Sequence, residues 1–164
     1  MSMIGNFLQV SPEQLAALIA DPSCIESFIY REDEDEEEDT NLEIDKAWHG
    51  IHYLLTGSAW EGAAPLANVV LGGTEIGDDV GYGPARYLTA EEVKVVAAAL
   101  REITPEQFRL RYSAEQLSQN EIYPDIWNDS DGDSIEYLVA WHEDLRSYYI
   151  EAAANNNAML KYLN

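Results

Sequence analysis

A four-residue helix-start signature recurs along this chain, and it limits the possible folds more than any other feature. Ser11-Pro12-Glu13-Gln14, Thr89-Ala90-Glu91-Glu92, Thr104-Pro105-Glu106-Gln107, Ser113-Ala114-Glu115-Gln116 and Asp133-Ser134-Ile135-Glu136 each set a capping oxygen three residues ahead of a Glu or Gln. That spacing lets the two side chains satisfy each other's backbone N–H groups at a helix N-terminus, and proline is tolerated just inside. Helices therefore dominate the reading. The first runs from Ser11 to about Ala20, and another spans Ile44–Leu55, with its apolar stripe at Ile44, Trp48, Ile51 and Leu55 and Gly57 placed to end it. A long helix covers about Ser134 to Ala153, striped by Ile135, Leu138, Val139, His142, Leu145 and Tyr149.

Strands are few. Ile4–Val10, Ala85–Leu88 and Ala158–Leu163 are the segments that could pair, and they lie far apart in sequence. With no repeat and no strand–helix–strand alternation, the expected class is α+β: a mostly helical single domain, residues 1–164, with a small mixed or antiparallel sheet. A chain of 164 residues suits this, since a domain of that size buries about 70% of its unfolded surface.

Charge narrows the function classes. The formal net charge is −22, and the eight consecutive carboxylates Glu32–Asp39 account for only part of it; without them the chain still carries 8 − 22 = −14. Such a surface repels phosphate backbones and anionic lipid headgroups, so neither nucleic acid nor membrane is an expected partner. Like charges cannot pack against one another, and residues 31–41 read as an acidic flexible loop. One cysteine, Cys24, excludes an intramolecular disulfide; Ile25 and Phe28 beside it suggest burial. The N-terminus lacks the basic start and apolar stretch of a signal peptide, which makes the cytoplasm the default location.

Several motifs could carry chemistry, each with a plainer explanation. His49 and His52, three apart on one helix, could share a metal with Asp45, but closed metal sites need further ligands and a buried structural histidine explains the spacing as well. His142 lies within an apolar stripe and must find a polar partner inside the fold. Asp129-Ser130-Asp131-Gly132-Asp133 resembles the middle of a calcium loop, yet the first and twelfth ligand positions would be Trp127 and Leu138, which cannot ligate; a turn ending in an Asp133 helix cap fits better. Gly81-Tyr82-Gly83-Pro84 lacks the glycines and lysine of a phosphate loop. Arg86 is one of only nine basic residues. It could pair with a carboxylate or read an anion in a cleft.

Met3-Ile4-Gly5 with Phe7, Asp45-Lys46 with Trp48, Ile51-His52 and Leu55-Thr56-Gly57, Pro65-Leu66 with Val70-Leu71-Gly72, Leu88-Thr89, and Glu121-Ile122-Tyr123-Pro124 follow one another in an order that resembles the bacterial YfbM-like family, a domain of unknown function. The block from Asp45 to Gly57 is the most specific part. The resemblance implies a single α+β domain and a bacterial cytosolic protein, and it carries over no activity or catalytic residue. It directs attention to Asp45, Trp48, His52, Thr56 and Gly57 as one unit and to Tyr123-Pro124 as another, with Trp48 and Ile51 in the core and His52 bonded to a nearby loop such as that of Tyr123. His49 is outside the pattern.

Charge and the lack of a catalytic set make the leading expectation a non-catalytic acidic interaction module, immunity or antitoxin-like, that recognises a basic protein. It would need no cofactor or metal and would be a monomer or weak homodimer. The alternative is an enzyme or small-ligand-binding protein with a cleft near His52, Arg86 and Tyr123. Asp45, Trp48, His52, Arg86, Tyr123 and His142 are the ligand- or partner-binding candidates, and the alternative requires its residues to meet around one pocket.

Overall fold

The structure is a computed structural model describing residues 2–30, 41–128 and 132–164. The acidic run and residues 129–131, where the sequence reading places a turn, lie outside the described residues. Seven α-helices and five strands are described, and the strands form one antiparallel sheet in the order β2-β1-β5-β4-β3. The strands are β1 (Gly5–Val10), β2 (Asn41–Glu43), β3 (Thr74–Asp79), β4 (Pro84–Leu88) and β5 (Ala158–Leu163). The two ends of the chain thus supply the sheet's centre, where all of β1 pairs with all of β5 from Gly5↔Leu163 to Val10↔Ala158.

Helix starts follow the sequence closely. Ser11, Thr89 and Thr104 form complete capping boxes ahead of α1 (Pro12–Ala20), α4 (Ala90–Arg101) and α5 (Pro105–Leu110). Ser113 caps α6 (Ala114–Gln119) through Gln116 N. The fifth signature behaves differently: α7 (Asp133–Ala154) begins after Gly132 with no side-chain cap, so Asp133 is the first helical residue. Trp48–Thr56 forms α3, preceded by a 3₁₀ turn at Asp45–Ala47 and stopped by left-handed Gly57. Ile25–Ile29, strands β2 and β3, and the exposure of Cys24 depart from the sequence reading. Ile25–Ile29, which is α2, buries Ile25 alone, and the one turn before it leaves the thiol bonded to Asp21 at the surface.

Helices cover both sheet faces. Leu15 and Leu18 of α1 and Ile25 pack on Leu8, Val10, Leu160 and Ala85. On the opposite face α3, α4 and α7 enclose Phe7, Leu88 and Met159 in the larger core. Buried aromatics there satisfy their polar atoms on backbone carbonyls: Trp48 Nε1 donates to Met3 O (2.9 Å), Trp127 Nε1 to Ile122 O (2.7 Å) and Tyr149 OH to Val69 O (2.6 Å). Arginines close two helix ends, Arg111 on Leu54 O and Leu55 O and Arg146 on Leu100 O and Arg101 O. Among the described residues no helix is long and apolar enough to cross a membrane.

Candidate ligand-binding cleft

Strand register assembles the site. Leu42, Phe7, Lys161, Arg86 and Glu75 pair directly from β2 through β1, β5 and β4 to β3, so their side chains share one face in a single cross-strand row. Two cations are neighbours in that row, an arrangement that destabilises a sheet unless something compensates. Compensation comes from the segment arching over the sheet between α3 and β3. Lys161 Nζ donates to Asn68 O and Gly72 O, both at 2.6 Å, and Arg86 donates to Leu71 O and to Glu75 Oε1 (3.2 Å). At Gly73, φ is +105° and a Cβ would stand 2.8 Å from Tyr87 O, so only glycine lets that segment turn down into β3 this close to β4.

Lys161 is 4% exposed and faces no carboxylate of the described residues within ion-pair distance. Burial pulls its pKa down to about 7; Arg86 adds to the shift and Glu92 opposes it. The two carbonyl acceptors act in the other direction, holding the proton on the amine. Beside this lysine opens a cleft of about 320 Å³, walled by Phe7, Val70, Leu71 and Arg86 and rimmed by Trp60 and Tyr82. That volume suits a small organic molecule. Its described lining holds two of the chain's nine basic residues and none of its 31 acidic ones.

Both rim aromatics are anchored. Tyr82 sits at the tip of the β3–β4 hairpin, tied down by its own N–H to Leu163 O (3.1 Å). Trp60 is 63% exposed, and the backbone on either side of it is clamped by α3: His49 Nε2 donates to Ala59 O and His52 Nε2 to Glu61 O, each at 2.8 Å. The His49 ring also packs against Trp60 in a tilted arrangement, with ring centroids 4.3 Å apart. Its Nδ1 accepts the Tyr123 N–H at 2.9 Å, which fixes the neutral tautomer with hydrogen on Nε2. Burial, with His52 nearby, lowers the His49 pKa to about 4 against the Ala59 hydrogen bond. His52 is likewise shifted down, by burial first and by Lys161, with the Glu61 carbonyl opposing.

The six candidates therefore separate. Arg86 lines the cleft, and its salt bridge to Glu75 means that the structural pair and the cleft position coexist. His52 supports the cleft's rim from behind, bonded to the Glu61 loop; the loop of Tyr123 is held by His49 instead. Tyr123 OH accepts from Met3 N, and Trp48 is core. Asp45, at φ +51°, accepts from Tyr137 OH at 2.7 Å. His142 lies away from the cleft, stacked on Phe108 at 3.9 Å; burial and the charges of Arg146 and Arg111 lower its pKa to about 4, and neither ring nitrogen has a hydrogen-bond partner among the described residues, where the stripe leads us to expect one. Tyr123 and His142 do not converge with Arg86. The residues that sequence reasoning missed are Lys161, Trp60 and Tyr82; a lone lysine in the otherwise apolar strand Ala158–Leu163 was the available signal.

An antiparallel five-stranded sheet clad in helices, with both chain ends at its centre, is the architecture of a known but functionally unassigned class, and a family model for the domain of unknown function DUF1877 matches residues 1–162. The chain belongs to that family. It is similar to protein YfbM of Escherichia coli (strain K12), at 29% identity over 134 residues, covering 77% of this chain and 75% of that protein. The crystal structure of YfbM from Escherichia coli, described as a protein of unknown function, superposes with a TM-score of 0.76 at 23% identity, covering 98% of this chain and 99% of the other. The fold is thereby shared.

Proposed function

We propose that this protein is a small-ligand-binding protein whose guest occupies the cleft between Trp60, Tyr82 and the Lys161–Arg86 pair. The observation that carries this reading is the reversal of charge: a chain of net charge −22 lines one open cleft with two cations and no carboxylate among the described residues. Exposed Trp and Tyr at the mouth add amphipathic surface of the kind that holds organic ligands. A fragment library screened by ¹H–¹⁵N correlation spectra tests it. Hits are expected to move the Trp60 indole N–H and the Gly83 and Tyr162 amides together; a screen in which no hit moves them removes the proposal.

A second reading, recognition of a basic protein in the manner of an immunity or antitoxin-like module, rests on uncompensated surface charge. Three ion pairs form among the described residues, through Glu75, Glu91 and Glu136, and all are exposed. Most of the acidic residues among those described form no ion pair. Immobilised protein should then retain a basic protein from lysate at low salt and release it near 1 M, where the Debye length has fallen to about 3 Å. Retention of nothing basic at low salt counts against it.

A further inference from the structure

We propose that the cleft is selective for a small organic monocarboxylate, whose carboxylate meets Lys161 and Arg86 while its apolar or aromatic body lies against Trp60 and Tyr82. The inference rests on the ligand-binding reading above and adds the chemical class of the guest. An ammonium has three N–H donors, and Lys161 gives two of them to Asn68 O and Gly72 O, leaving one for a guest. Arg86 has five donors and spends two, on Leu71 O and Glu75. Donors on adjacent strands of one row, about 5 Å apart at the backbone, can converge on a single carboxylate.

Net charge at the row favours a monoanion. Lys161 and Arg86 contribute two positive charges and Glu75 removes one, leaving +1. The rest of the molecule is strongly negative, so a dianion is repelled about twice as strongly as a monoanion, while the described lining offers no cation beyond the row to hold it. Phosphate esters are therefore disfavoured. Phe7, Val70 and Leu71 supply apolar walls, and beyond the row the hydrogen-bonding side chains of the described lining are Asn6, whose Nδ2 is already engaged with Ile4 O and Asn164 Oδ1, and the aromatics Trp60, Tyr82 and Tyr162. A compact apolar body suits those walls better than a sugar.

Matched probes test the class: 2-naphthoate, its neutral amide and 2-naphthyl phosphate, titrated at pH 6 with the Trp60 indole signal as the site-specific readout. The naphthoate is expected to bind about tenfold or more tighter than the amide, as a hydrogen bond to charge warrants, and tighter than the phosphate. Lys161→Met should abolish the preference, and Arg86→Gln, at the half-exposed end of the row, makes the same comparison if Lys161→Met does not fold. An amide that binds in the cleft as tightly as the naphthoate overturns the carboxylate assignment and leaves the cleft intact as a ligand site. A phosphate that binds tightest overturns the selectivity for a carboxylate. If none of the three moves the Trp60 signal, the carboxylate assignment is overturned, and the fragment screen decides separately whether any ligand enters.

Discussion

Folding free energy should fall by about 3 kcal/mol for each of His49 and His142 as the pH drops from 6.5 to about 4. Both imidazoles are 1% exposed and titrate near 4 in the folded protein against 6.5 as the ordinary value. Between those limits the unfolded chain binds protons that the folded chain refuses, so the stability is fully present above 6.5 and drains away as the pH falls. Geometry supports the same direction. A proton on His49 Nδ1 would meet the Tyr123 N–H that now donates to it, and one on His142 would find no acceptor among the described residues. Urea denaturation at pH 7 and pH 4.5 measures the loss. His142→Leu should reduce it by about 2–3 kcal/mol, the share of one histidine, leaving the contributions of His49 and His52, because leucine needs no partner beside Phe108. Neutralisation of the many carboxylates also changes stability over this range, but it does so equally in wild type and variant, and the difference between them isolates the histidine. An undiminished acid loss in His142→Leu would refute the assignment.

Lys161→Met should lower the unfolding free energy by about 2–3 kcal/mol even though it takes a charge out of the interior. Two effects compete. Removing a buried ammonium relieves its desolvation, while Asn68 O and Gly72 O, which accept no other described backbone hydrogen bond, lose a charged donor. Two stranded acceptors outweigh one relieved cation because methionine fills the volume of the stem without supplying an N–H. The damage should be local, with faster amide hydrogen exchange in residues 66–73 than in α7. A variant as stable as wild type would mean that the arch stays on the sheet without Lys161.

What the sequence revealed and what it concealed divide along physical lines. Capping signals at Ser11, Thr89, Thr104 and Ser113 act within one helical turn and could be read directly. Gly132, left-handed at φ +75°, takes the cap position itself, so Asp133 falls inside the helix. Strands β2 and β3 are mostly exposed and carry polar residues, so their alternation gives no apolar signal. The site is a product of register: residues 75, 86 and 161 meet only once three strands have paired, and nothing local to Lys161 announces the partners beside it. Arg86 was legible as scarce basic chemistry. Trp60 was not, since its exposure depends on two histidine clamps from a helix before it in sequence.

The Lys161 side-chain ammonium offers the most direct test of the account. In a ¹⁵N spectrum recorded at pH 6, its Nζ signal should be observable because burial and two hydrogen bonds slow its proton exchange, and Lys161→Met identifies it. Saturating 2-naphthoate is predicted to shift that signal together with the Trp60 indole N–H, as expected for a carboxylate seated on the cationic row. A ligand-bound protein in which the Nζ signal does not move would contradict the account, because the guest would then be held elsewhere.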